Sequence, residues 1–302
     1  MTVSAEEDRD LLSVPTGLEV FDLRVEVVLA ALTELLDLSG IHYHDINRGD
    51  SAFVVLGWNP WRWDELPPEA APKVGAARKA LSELTDLGAR AARDAPDRAK
   101  ELKDLTDRLK TIIEQPDTHV GAPKGSLDQV RDLVGEIGRE YRAVVRQLPA
   151  AHGNGEQLVV PDTSALLDRP DLQAWTLDGA AWTVVFVPQV LSELDDRKRD
   201  PRTREAAQKV INQIDELDRR GDLFEGVRLA GKVMVREVPV SPDMGETLSW
   251  LRSDVPDDAI IASVLELSWE DLTRRLAVTA SDRNVRNKAR MAGLETIHPR
   301  DL

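Results

Sequence analysis

The sequence predicts an α/β protein: a central parallel sheet flanked by helices in the second half, preceded by a mostly α-helical N-terminal domain. Three observations lead there. Upstream of residue 149, apolar residues recur at steps of three and four, the helical period. Downstream, short apolar runs alternate with helix-period segments, as strands joined by helical crossovers do. Between them lies "PAAHGNGEQ" (149–157), a small, glycine-containing stretch that reads as a linker. The domains are therefore placed at 1–150 and 156–302.

In the first half, Phe21, Val25, Val28, Leu32 and Leu35 form one such stripe. Ala77, Leu81, Leu84, Gly88 and Ala91 form a second, and Leu102, Leu105, Leu109 and Ile112 a third. The longest runs Leu127, Val130, Val134, Ile137, Tyr141, Val144, Leu148 and starts at Ser126 with Gln129 three residues on, a capping-box pattern. At least two long helices are expected to form a hairpin, with "QPDTHVGAPKG" (115–125) reversing the chain before the last of them. They pack as an intramolecular bundle, or as a coiled coil that binds a protein partner or a second copy of the chain. Trp58, Trp61 and Trp63 in "WNPWRW" either fill an interface or core, or stack on bases.

In the second half, "LVVPDTSALL" (158–167) takes a buried strand through Pro161 directly to an acid, Asp162, and then into a helix. Further strands are expected over 181–188, 232–238, 275–280 and 294–299, and helices over 202–220, 257–270 and 283–292. Other acids recur where strands give way to helices: Glu193 in "VPQVLSELDDRK", Asp257 and Asp258 in "VPDDAIIASVLEL", and Asp282 in "VTASDRNVRNKA". One acid at a helix start is ordinarily a cap. Several at the carboxyl ends of strands in one parallel sheet converge where such sheets place their sites. Carboxylates about 4 Å apart repel by about 4 kcal/mol at an effective dielectric near 20. Four in one pocket therefore require a cation, and all-oxygen donors favour Mg²⁺ or Mn²⁺.

The ordered set "VVPDTSALL", "VFVPQVLSELDDRK", "PDDAIIASVLEL" and "VTASDRNVRNKARMAGL" resembles the PIN domain, the metal-dependent nuclease fold, over about 158–302. The resemblance implies a Mg²⁺- or Mn²⁺-dependent endoribonuclease that hydrolyses phosphodiester bonds of single-stranded or structured RNA, in RNA processing, turnover or defence. Asp162, Glu193, Asp258 and Asp282 match the family's catalytic, metal-binding acids, with Asp257 as a further candidate ligand. Glu193 is either a ligand or a base that orients water, and one or two ions act. Thr163, Ser164 and Ser281 match small polar positions around the site, although "VTASD" carries one residue more before its acid than the commoner family pattern. A toxin of a toxin–antitoxin pair and a non-catalytic scaffold for RNA or protein are the alternative readings. The long helical half speaks against the first and the full set of acids against the second.

The net charge of −15 excludes broad, non-specific polyanion binding, so RNA must meet a local basic patch. "DDRKRDPRTR" (195–204) supplies one, with Arg197, Lys198 and Arg199 close behind Glu193; Arg283 leads a second basic group with Arg286, Lys288 and Arg290. The 302 residues contain no cysteine, which excludes a disulfide framework and a Cys-ligated zinc. No stretch approaches the roughly 20 apolar residues of a membrane helix, and the acidic start lacks a signal-peptide pattern. The expected compartment is the cytoplasm.

Overall fold

The computed structural model describes residues 14–44, 59–115, 123, 125–175, 181–245, 247–248 and 250–302. The chain divides into two compact units: Leu18–Ala151, and His152–Leu302 together with the described residues before Leu18.

The first unit is built on α1 (Gly17–Leu36), α2 (Ala71–Ala91), α3 (Pro96–Glu114) and α4 (Leu127–Val145). Each helix buries the stripe that its sequence period marks, so Phe21, Val25, Val28, Leu32 and Leu35 of α1 are inside. Ser126 closes the expected capping box with Gln129 at the start of α4. The α4 stripe is buried against the chain's own helices. Tyr141 donates to the Leu84 carbonyl of α2 at 3.1 Å, and Gly138 lies against Leu29 of α1. Two expected positions differ: Leu127 is only half-buried, and Val145, not Val144, is buried between Tyr141 and Leu148. A straight helix of 3.6 residues per turn drifts off a strict seven-residue repeat, and here the buried face follows the helix rather than the heptad.

Between α1 and α2, β1 (Ile41–Tyr43) and β2 (Trp61–Trp63) pair antiparallel, with Tyr43 edge-on to Trp61 at 5.5 Å. Trp61 and Trp63 are half-buried, and His42 pairs with Asp64. Trp58 and most of the 115–125 reversal lie outside the described residues.

In the second unit the described strands form one six-stranded sheet in the order β5-β6-β4-β3-β7-β8. The strands are β3 (Gln157–Pro161), β4 (Trp182–Phe186), β5 (Val227–Ala230), β6 (Val233–Glu237), β7 (Arg275–Thr279) and β8 (Glu295–Ile297). All pairings are parallel except β5 on β6. The helices are α5 (Thr163–Asp168), α6 (Pro188–Arg197), α7 (Arg204–Asp218), α8 (Pro256–Glu270) and α9 (Arg283–Met291). Leu158, Val159 and Val160 of β3 are fully buried on both faces, which is why β3 reads as an unbroken apolar run. The antiparallel edge strand β5 is absent from the sequence expectation. It is four residues long and carries exposed Arg228 and Ala230, so its alternation is too short to register.

The linker is clamped to the amino end of this sheet. A Cβ at Gly153 would overlap the Asp271 carboxylate, so only glycine allows that approach. Asn154 N donates to the same carboxylate.

Candidate active site

The strand order places the site. The chain runs outward from β3 to β4 and β6, then returns to β7 on the other side of β3. That reversal makes the carboxyl end of β3 the topological switch point, where open parallel sheets bind ligands. Asp162 is the first residue beyond β3, and its N–H donates to the Thr279 carbonyl at the end of β7.

Asp162 is buried. Its Oδ1 caps α5 by accepting from Ala165 N at 2.8 Å, and the Ser164 hydroxyl reaches both its oxygens at 2.9 and 2.8 Å. Burial nevertheless pushes its carboxyl from 3.8 up to about 6. The two hydrogen bonds pull it down, and the charges of Asp257 and Glu193 push it further up. The fold thus brings acids from three different segments near one another: β3's end, α6 and the first turn of α8.

Asp258 is buried one residue on from Asp257. Its Oδ2 accepts from Arg252 N at 3.0 Å. Its Oδ1 faces the Lys288 ammonium at 2.6 Å. The same ammonium donates to Asp257 Oδ2 at 3.5 Å. Lys288 therefore bridges the two adjacent acids.

Asp282 is exposed and caps α9, accepting from Asn284 N at 2.6 Å. Ser164 ties it to Asp162, because the Ser164 oxygen accepts from Ser281 N and Asp282 N at 2.9 Å each. With its proton on Asp162 and both lone pairs taken, this hydroxyl is a fastener between two acid-bearing loops. Ser281 Oγ turns to Asp168 at 3.0 Å. Arg286 holds the extra residue of "VTASD" in place by donating to the Ala280 and Ser281 carbonyls at 2.7 and 2.6 Å. Thr163 Oγ1 and Thr279 Oγ1 are buried without a hydrogen-bond partner among the described residues. Glu193 accepts from Gln189 at 3.1 Å.

In the basic run behind Glu193, Lys198 pairs with Asp195 at 2.6 Å and Arg199 with Asp196 at 3.3 Å. Arg197 and Arg283 are exposed. The sequence reading put Lys288 in a basic group beside Asp282; the fold turns it onto the acids of α8 instead. Only its place on α9 carried that information, since Val285 and Ala289 bury the face toward which Lys288 leans.

The acids offer only oxygen donors, which in chemistry fits a hard divalent cation. The side chains do not yet close on one: among the described residues, no three acids or histidines are arranged to hold an ion. Two of the acids are closed on Lys288. No described helix is long and apolar enough to cross a membrane.

No curated protein matches the chain. A family comparison matches residues 159–300 to the PIN domain, a segment that holds nearly all of the six-stranded sheet and Asp162, Glu193, Asp257, Asp258 and Asp282. The C-terminal half of this chain is a PIN domain, a fold of nuclease type.

Proposed function

We propose that this PIN domain is a Mg²⁺- or Mn²⁺-dependent endoribonuclease, with Asp162, Glu193, Asp258 and Asp282 as its catalytic acids and Asp257 beside them. The observation that carries the proposal is the cost of Asp162. An N-cap contributes about 1 kcal/mol. A carboxyl displaced from 3.8 to about 6 costs about 3 kcal/mol when ionised, at 1.36 kcal/mol per pH unit. That cost is already net of the bonds from Ala165 N and Ser164, so the cap leaves the charge uncompensated, and a bound cation would compensate it.

PIN domains typically use divalent metals. The acids named would hold the ion, which when bound supplies an activated water and stabilises charge on a phosphoryl oxygen. The protein's own contribution is orientation. Ser164 and Ala165 N fix the Asp162 carboxylate, Arg252 N fixes one oxygen of Asp258, and Gln189 steadies Glu193, which acts as a ligand or as the base that orients water. Arg197, at the end of the helix that carries Glu193, and Arg283, next to Asp282, are both exposed, and the reading assigns them to substrate phosphates. Lys198 and Arg199 can join them, because exposed ion pairs of their kind are worth only about 0–1 kcal/mol and exchange readily.

The test is cleavage of single-stranded and hairpin RNA by the full chain in Mn²⁺, in Mg²⁺ and in chelator. Endonucleolytic products should form only with metal and should vanish in Asp258→Asn. A protein that cuts neither RNA, and whose melting curve ignores saturating Mn²⁺, would instead be a binding scaffold on a PIN fold.

A further inference from the structure

We infer that Lys288 is the resident cation of this site: its ammonium occupies the Asp257–Asp258 end of the acid cluster and must be displaced for a divalent ion to bind. The inference rests on the metal-dependent reading above and adds a competitor built into the chain.

Two observations carry it. First, the Lys288 ammonium bridges the two acids of the first turn of α8, facing the buried Asp258 Oδ1 and donating to Asp257 Oδ2. At 2.6 Å from Asp258 Oδ1 and 3.5 Å from Asp257 Oδ2, its single charge is shared between two carboxylates. Second, Asp257, one of the two acids that Lys288 contacts, also acts on Asp162 by its charge, so the ammonium sits within the acid cluster that the metal reading invokes. A divalent ion and an ammonium between the same two carboxylates would repel each other. The Lys288 side chain is 28% exposed, against 5% for Asp258, so it has a way out toward solvent that the acid lacks.

Competition has a consequence opposite to that of a supporting role. If Lys288 helped to hold the ion, removing its charge would weaken metal binding. If it competes, removal strengthens binding while making the metal-free protein less stable, because a buried carboxylate loses the cation that balances it.

The experiment compares the full chain with Lys288→Met by calorimetric titration of Mn²⁺ and by melting in chelator. The variant should melt lower in chelator and bind Mn²⁺ more tightly, on the order of tenfold, the scale expected for removing a charge at this distance from a partly shielded site. In the unmodified protein, amine acylation read by mass spectrometry should label Lys288 slowly in chelator and faster with saturating Mn²⁺. That second measurement stands even if the variant does not fold. Equal or weaker Mn²⁺ binding by the variant, or labelling that Mn²⁺ leaves unchanged or slows, overturns the inference while the metal reading survives on the wild-type titration. No Mn²⁺ binding by either protein overturns both.

Discussion

Replacing Asp162 with asparagine should make the metal-free protein more stable, although it removes an acid from the centre of the site. The side chain is nearly isosteric, and its oxygen can still accept from Ala165 N. What disappears is a charge that burial and the neighbouring Asp257 and Glu193 oppose. The carboxyl is raised from 3.8 to about 6, so the folded state holds its proton more tightly than the unfolded chain does. Below about pH 4 both states are protonated and the group costs nothing. As pH rises from about 4 to 6 the unfolded chain ionises first, and the folded state progressively loses about 3 kcal/mol by comparison. Weakening the bonds to Ala165 N and Ser164 takes back about 1 kcal/mol. The net expectation at pH 7.5 in chelator is a gain of about 2 kcal/mol, roughly 4–8 °C for a domain of this size. Melting curves of both proteins from pH 4 to 8 check it: the gap should be near zero or negative at pH 4 and open by pH 6. Saturating Mn²⁺ should reverse the order, since only the wild type keeps its full ligand set. An asparagine variant no more stable than wild type at pH 7.5, or a gap independent of pH, would refute the claim that Asp162 is held against its electrostatic preference.

Three further outcomes are expected. Ser164→Ala should cost about 2–3 kcal/mol in urea unfolding, because the Ser281 and Asp282 N–H groups lose their acceptor and Asp162 loses a donor; cleavage should fall with it as the two loops part. Neutralising Arg197, Lys198 and Arg199 together should weaken RNA binding at low salt and lower the slope of log affinity against log salt by about 0.7 for each phosphate no longer neutralised, with Mn²⁺ binding unchanged in calorimetry. A fragment beginning at residue 152 should fold cooperatively but be about 1–2 kcal/mol less stable than the same unit in the full chain, because the Arg275 guanidinium no longer reaches the Val14 carbonyl. Light scattering of the full chain and the fragment should show monomers in both cases, since the 127–148 stripe is buried by the chain's own helices.

The fold was legible where local pattern and tertiary packing ask for the same thing. The stripes of α1 to α3 were readable because an amphipathic helix buries whatever recurs at its own period. Strands β3, β4 and β7 were readable because a strand covered on both faces must be apolar throughout. Legibility failed where the period is indirect. At Val144 and Val145 two equivalent residues compete for one buried place, and the drift of a straight helix decides between them. Edge strand β5 is half-solvated and only four residues long, so nothing in its composition separates it from the turns around it.

The candidate site divides along the same physical line. The acids could be found because each stands at a strand-to-helix junction, and a junction is a local feature. What the acids do to one another is not local. Asp162 and Asp257 are 95 residues apart and meet only because the chain reverses direction at β3. Ser164 has the composition of a substrate contact, but its hydroxyl is fully engaged by Asp162 and by two N–H groups more than 100 residues away, which makes it a fastener. Lys288 is the sharpest case. In sequence it belongs to a basic helix, where solvent exposure and phosphate contact are the natural expectations. On α9 its neighbours Val285 and Ala289 are buried, and the face they share is turned toward α8, so the ammonium is delivered to Asp257 and Asp258. A charge's partner is set by the face it occupies and by what the fold brings opposite that face. For that reason the identity of the acids could be read along the chain, while the cation that now balances them could not.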